Sequence, residues 1–201
     1  MRSSPWGRID PDASAPDSEG SRDGGTPRPV ALSVRVLGVD PGLAATGFGV
    51  VQGRPGSSRL LECGIVRPRR DASLAERLLE IHEGLLEVID RVAPDCLAVE
   101  GVFYRENPRT AVLLAHARGV ALLAGARRGL LVVEYPPAEI KKAVVGTGRA
   151  TKDQVGWMVQ KLLGLSEPPH PADAADGCAA ALCHILIGTG PLAARRAGRG
   201  A

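Results

Sequence analysis

Four carboxylates stand where lone charges are expensive. Asp40 ends the apolar run SVRVLGVD, Glu100 ends CLAVE, and Asp173 and Asp176 open the Ala-rich segment HPADAADGCAAALCHILI. Burying an unpaired carboxylate is costly, and clustering several adds a repulsion that a bound cation relieves. The fold must therefore reconcile apolar strands and an apolar helix with acids at their ends. The economical solution brings two strand ends and one helix start to a common, cation-holding point.

The pattern between these acids predicts how that happens. Residues 33–39 (SVRVLGV) read as a buried strand, TGFGVVQG after Asp40-Pro41-Gly42 as a second, and SRLLECGIV as a third. Short turns between them favour an antiparallel meander. Gly47 and Gly49 alternate along the second strand, which suits close approach of a ligand or helix, or a bulge. Leu74, Leu78, Ile81, Leu85 and Val88 or Ile89 recur with helical period, and Ser73 with Glu76 forms a capping-box pattern before them. CLAVE follows as a central strand. Asn107-Pro108 can cap and open a helix through AVLLAHARGVALLAGA. LLVVEY is another strand and PPAEIKKAVV a short helix. Thr151 with Gln154 caps TKDQVGWMVQKLLGL, and a last helix is expected from about Pro171 to Gly188. The order β-β-β-α-β-α-β-α-α-α predicts an α/β fold: one mixed five-stranded sheet, its first three strands antiparallel, with helices on both faces and right-handed crossovers.

The chain has 201 residues and a net charge of +3, a mild bias toward anionic partners. Residues 1–32 are rich in Ser, Pro, Gly and Asp and lack the apolar centre of a signal peptide, so a disordered extension is expected there. Its four Arg face five acids, so it is no basic DNA-binding arm. Residues 33–188 form the expected folded domain, and 189–201 a flexible basic tail with Arg195, Arg196 and Arg199. No apolar stretch reaches membrane-spanning length, and a cytoplasmic protein is expected. Cys63, Cys96, Cys178 and Cys183 sit in apolar settings without a Cys-x-x-Cys unit, as small buried thiols do.

Asp173 and Asp176 are three apart, so they share a helical face near the helix start, where the dipole favours anions. Capping alone explains one acid better than two. Ala172, Ala174, Ala175, Ala179 and Ala180 allow that helix to lie close on the sheet. An oxygen-only set suits Mg²⁺ or Mn²⁺ rather than zinc. Four carboxylates can hold two such ions about 4 Å apart, a clamp for phosphoryl displacement. His170 is a candidate base or supporting group in a Pro-flanked loop, whereas His82, His116 and His184 lie within helical patterns.

The segments LGVDPGLAATGFGVV, LAVEGVF, ARGVALLAGARRGLLVVEYPPAEIKKAVVGTGRATKDQV and PADAADGCAAALCH, in this order over residues 35 to about 187, resemble the bacterial Holliday-junction resolvases of the RuvC family. The resemblance implies an RNase H-like fold. It implies a homodimer that makes paired symmetric nicks across four-way DNA junctions in recombination and repair, leaving 5′-phosphate and 3′-hydroxyl ends. Asp40, Glu100, Asp173 and Asp176 match the family's catalytic, metal-binding acids, with Mg²⁺, two ions per subunit, or Mn²⁺ in its place. Phe103 matches an aromatic at the junction centre, and Lys141 and Lys152 match basic residues near phosphate. The RuvA–RuvB branch-migration complex is the implied protein partner. Gly101 departs from the family, which commonly has a polar residue there.

Physical chemistry supports these contacts. The loop VFYRENPR places Phe103 and Tyr104 beside Arg105 and Arg109, aromatics to stack on an opened base and cations to meet phosphate. Lys141, Lys142, Arg149 and Lys152 surround a glycine turn. Two cuts on opposed strands call for a two-fold dimer, and the helix from Arg109 to Ala126, apolar on more than one face, is a candidate surface for it. Three other readings compete, one of them a different RNase H-like nuclease acting on RNA or hybrids, which only the extended family match argues against. An ATP-binding enzyme of the actin/sugar-kinase type shares the Asp-x-Gly turn but needs a second such domain. A non-catalytic junction-binding protein would have no use for the intact set of acids.

Overall fold

The computed structural model describes residues 33–101 and 108–188. Three strands come first: β1 (Val34–Asp40), β2 (Thr46–Arg54) and β3 (Ser57–Val66). Then follow α1 (Leu74–Val92), β4 (Cys96–Glu100), α2 (Pro108–Arg127) and β5 (Leu131–Tyr135). The chain continues through α3 (Pro137–Val145), α4 (Lys152–Leu162) and α5 (Ala172–Cys183), and a π-helical turn spans His184–Gly188. The strands form one sheet in the order β3-β2-β1-β4-β5. β1 with β2 and β2 with β3 are antiparallel, whereas β1 with β4 and β4 with β5 are parallel. This is the RNase H-like mixed sheet expected from the sequence.

Strand parity sorts the side chains into two cores, because successive residues face opposite sides of a sheet. Val36, Val51, Cys96, Ala98 and Val133 face α3, α4 and α5. Leu37, Val39, Val50, Leu97 and Val99 face the other way, packed with Ile81, Leu85, Val88 and Ile89 of α1 and Ala117, Ala121 and Ala124 of α2. The two capping boxes are present: Ser73 with Glu76 opens α1, and Thr151 with Gln154 opens α4. Each satisfies two backbone N–H groups that a helix start otherwise leaves unpaired. On α2 the small inward residues are buried, while Val112 and Leu123 stand 55% and 58% exposed.

The closest packing in the molecule lies between the sheet and α5. A Cβ placed on Gly38 would lie 2.1 Å from the Gly177 carbonyl oxygen, and one on Gly49 would lie 2.6 Å from Cα of Cys178. The reverse contact is equally close, since a Cβ on Gly177 would lie 2.6 Å from Cα of Phe48. Gly47 and Gly49 thus serve the approach of a helix. The β-bulge is separate, a register shift between Val50 and Val51 in the β2–β3 pairing.

The last helix differs from the single run expected to Gly188. It remains α-helical to Cys183 and then widens. Buried His184 begins the wider turn, and its Nδ1 lies 2.8 Å from the Tyr135 hydroxyl of β5. That contact gives two buried polar groups a partner each, which an apolar core otherwise denies them.

Gly38→Ala should destabilise the fold by about 3 kcal/mol, the upper end of ordinary overpacking, because its new methyl meets backbone rather than a movable side chain. Gly119→Ala on α2, where a Cβ meets nothing within 4 Å, should instead gain about 0.5–1 kcal/mol. Urea titrations of both variants decide the point. Equal stabilities would mean that α5 does not rest on bare backbone.

Candidate metal centre and nucleic-acid interface

The same parity that buries Val36 and Gly38 under α5 turns Asp40, two and four residues on, to that side of the sheet. Cys96 and Ala98 likewise carry Glu100 to it. Val39 pairs with Val99 across parallel β1 and β4, so the two acids end neighbouring strands. On the other side, Asp40 pairs with Gly47. A Cβ on Gly47 would lie 1.8 Å from the Asp173 carbonyl oxygen, so the bare backbone at Gly47 sets the start of α5 beside Asp40. One helical turn then presents Asp173 and Asp176 together.

One carboxylate oxygen from each of Asp40, Asp173 and Asp176 lies within 4.8 Å of the others. Glu100 stands outside that trio but lines the same cavity, about 210 Å³, with Asp40, Asp176, Lys141 and Lys152. Pro137, Ile140, Val155 and Ala179 form its apolar walls. Burial, and then the charges of Glu100 and Asp176, push Asp40 from the usual 3.8 up to about 8, against a smaller opposing effect of Lys152. The Lys152 ammonium donates to Asp176 Oδ2 at 2.8 Å, and this partner raises the lysine's own pKa. Asp176 is the more enclosed member of that pair, its side chain 16% exposed against 69% for Lys152.

A divalent cation fits these residues. The donors are oxygens alone, as hard cations prefer. Without added positive charge, burial and the neighbouring acids favour the protonated form of Asp40, the sign of a cluster short of positive charge. The cysteines take no part: Cys178 and Cys63 hydrogen-bond to each other on the sheet's α5 side, and Cys96 is buried.

The other predicted contacts are placed unevenly. Lys141 is half-buried at the cavity, and Lys142 and Arg149 are exposed nearby in sequence. Phe103, Tyr104 and Arg105 fall outside the described residues, as does the side chain of Arg109. His170 is exposed and lines a separate groove. Among the other histidines, His184 is buried against Tyr135, and His116 Nδ1 lies 2.8 Å from the Val112 carbonyl. Lys152, expected near a DNA phosphate, also pairs inward with Asp176, a long-range contact that no local pattern signals.

The family model described as crossover junction endodeoxyribonuclease RuvC matches residues 36–184. The chain belongs to the RuvC family. It is 54% identical over 156 residues to the crossover junction endodeoxyribonuclease RuvC of Parafrankia sp. (strain EAN1pec), covering 77% of this chain and 88% of that one. The RuvC of Moorella thermoacetica is 48% identical over 149 residues, covering 74% and 89%. Among solved structures, T. thermophilus RuvC in complex with a Holliday junction substrate superposes with a TM-score of 0.73 at 36% identity, covering 78% of this chain and 95% of that one. The yeast mitochondrial Holliday junction resolvase Ydc2, at 14% identity and a TM-score of 0.56, shares the RuvC fold.

In metal-free protein, an acid whose folded-state pKa lies above its unfolded value favours the fold while it keeps its proton. For Asp40 that contribution is complete below about pH 4 and is lost as the pH rises to about 8. Melting midpoints in EDTA should therefore decline between about pH 5 and about pH 8, and Asp40→Asn should flatten the decline. Excess Mg²⁺ should raise the midpoint most near pH 8, where it displaces the fewest protons. An unchanged Mg²⁺ response in Asp40→Asn would remove Asp40 from the cation site.

Proposed function

We propose that this RuvC-family chain resolves four-way DNA junctions by metal-dependent hydrolysis, each protomer of a homodimer cutting one of two opposed strands. The observation that carries this reading is the convergence of Asp40, Asp173 and Asp176 within 4.8 Å, with Glu100 on the same cavity. The relatives named as crossover junction endodeoxyribonucleases support it. So does the likeness to a RuvC bound to a Holliday junction substrate.

Asp40, Glu100, Asp173 and Asp176 would hold Mg²⁺, two ions for four acids, with Mn²⁺ as a substitute. Mg²⁺ bound there supplies positive charge against both the attacking and the departing oxygen of a phosphodiester. The chain's own groups do the rest. Lys152 holds Asp176 in place and opposes protonation of Asp40. Lys141, at the cavity beside Glu100, is placed to meet a phosphate oxygen of the cut strand. Lys142 and Arg149 add cations beyond it. The apolar wall of Ile140 and Val155 limits water around the phosphate. A water oxygen gives up a proton and bonds to phosphorus, the bond from phosphorus to the 3′ oxygen breaks, and that oxygen takes up a proton in exchange from solvent. The products are a 5′-phosphate and a 3′-hydroxyl.

The dimer is proposed from the exposed Val112 and Leu123, eleven residues and therefore about three turns apart on one face of α2. Phe103 and Tyr104, with Arg105 and Arg109, are proposed to meet the junction centre, and the RuvA–RuvB complex to be the partner on DNA, both from the family resemblance. No helix among the described residues is long and apolar enough to cross a membrane.

Purified protein should nick a labelled mobile four-way junction with Mg²⁺, and spare linear duplex and RNA–DNA hybrid. EDTA should stop it. Asp40→Asn, Glu100→Gln, Asp173→Asn and Asp176→Asn should each lose at least ~100-fold in rate and still bind the junction, a loss at or beyond the ~10–100-fold caused by disturbing groups behind a ligand. Near-normal cutting by any of them would remove that acid from the site. Junction binding without cutting by the unaltered chain would favour a binding protein.

Lys152 calls for a different readout. Removing its charge takes away the cation that holds the Asp40 pKa down. At limiting Mg²⁺, Lys152→Ala should therefore move the acidic limb of the pH–rate profile to higher pH, and Lys152→Arg should restore much of it. A lower rate with an unmoved profile would assign Lys152 to DNA affinity alone.

A further inference from the structure

A second concavity adjoins the catalytic cavity and has no part in the chemistry above. It encloses about 490 Å³ between α4 and the segment leading into α5, and it shares Lys152 and Asp176 with the catalytic cavity. Trp157 forms one wall and is 54% exposed, although tryptophan is among the costliest side chains to leave in water. Pro169 and His170 also line the concavity. Gly156 lies between Lys152 and Trp157, and a Cβ there would meet nothing within 4 Å, so the space beside the ring is open.

We propose that this groove takes one unstacked base of the cut strand, from a nucleotide next to the phosphate being hydrolysed, with Trp157 as its stacking platform. The inference rests on the nuclease reading and adds a base-binding site to it. Continuity is the first argument. The two concavities share Lys152 and Asp176, so a strand whose phosphate lies at Asp40 and Asp176 has a way out past Lys152 into the groove.

Charge is the second. Asp153 and Glu167 also line the groove, and acids there repel a phosphate but accept hydrogen bonds from the N–H groups of a base. The backbone therefore stays with the lysine at the rim and the base turns inward. Shape is the third. An exposed flat ring lining an open groove is a surface on which bases stack without regard to sequence. Lys161, 5.5 Å from the Trp157 ring centroid, orients that ring and adds a cation beside the strand.

The chain has two tryptophans, Trp6 and Trp157. In the full chain carrying Trp6→Phe, Trp157 fluorescence in EDTA should be quenched by a four-way junction. In single-turnover cutting with Mg²⁺, Trp157→Ala should slow the reaction by roughly 5- to 100-fold, the loss of one stacked base, while Trp157→Phe keeps most of the rate. Gly156→Leu should slow it as well by filling the groove, without lowering the melting midpoint, because leucine is the better helix former.

A junction made abasic on either side of the cut should be cut slowly by the unaltered protein and no more slowly by Trp157→Ala. The same Trp157→Ala penalty on intact and abasic junctions would overturn the proposal. So would tight junction binding without quenching. Quenching that follows protein concentration without DNA would overturn it too, in favour of a protein docking face. Failure of the unaltered protein to cut any junction would overturn the nuclease reading and this one together. A cutting protein indifferent to Trp157 and Gly156 would overturn this one alone.

Discussion

Everything at the acidic end depends on a helix lying against bare backbone. A helix normally packs on a sheet through a layer of side chains. Here Gly38, Gly47 and Gly49 remove that layer from β1 and β2, and Gly177 removes it from α5. The gain is position. With nothing but backbone between them, the start of α5 cannot drift from the end of β1, and the carbonyl of Asp173 lies over Gly47 beside Asp40. A layer of valines would hold the helix as stably and leave the acids too far apart to share a cation.

Much of this was legible in the chain. The element order, the meander, both capping boxes and the two-faced sheet follow from hydrophobic period and short turns, and the structure agrees with each. The trio of aspartates was legible for a deeper reason. Strand parity puts Asp40 on the face of Gly38 and Glu100 on the face of Ala98, and helical spacing puts Asp173 with Asp176. Three periodicities, each local, choose one side of one sheet. What the glycines did was legible only as alternatives, helix, ligand or bulge, because a missing side chain does not name what fills its place.

Long-range pairing was the part that local pattern could not supply. Lys152 begins α4 as an exposed, capped residue, and nothing near it in sequence points to Asp176, twenty-four positions on. The π-helical turn at His184 is similar. It depends on Tyr135 of β5, forty-nine residues earlier, and the apolar run HILI reads as plain helix without it. In both cases a polar group solves its burial by meeting another that the fold delivers, so the solution becomes visible only when the fold is.

That difference bears on how the site balances stability against function. Three aspartates and a glutamate near one another make the metal-free fold work against itself, as the upward push on Asp40 shows. Lys152 offsets part of that repulsion from within the chain, but it does so from the rim, largely in water, where a charge is strongly screened. One cation cannot neutralise four acids, and a lysine at the rim offsets less of their charge than a buried cation would. A largely exposed lysine holds Asp176 in register and leaves the charge deficit unfilled. The weakness of that ion pair is therefore what leaves the acidic cluster short of positive charge.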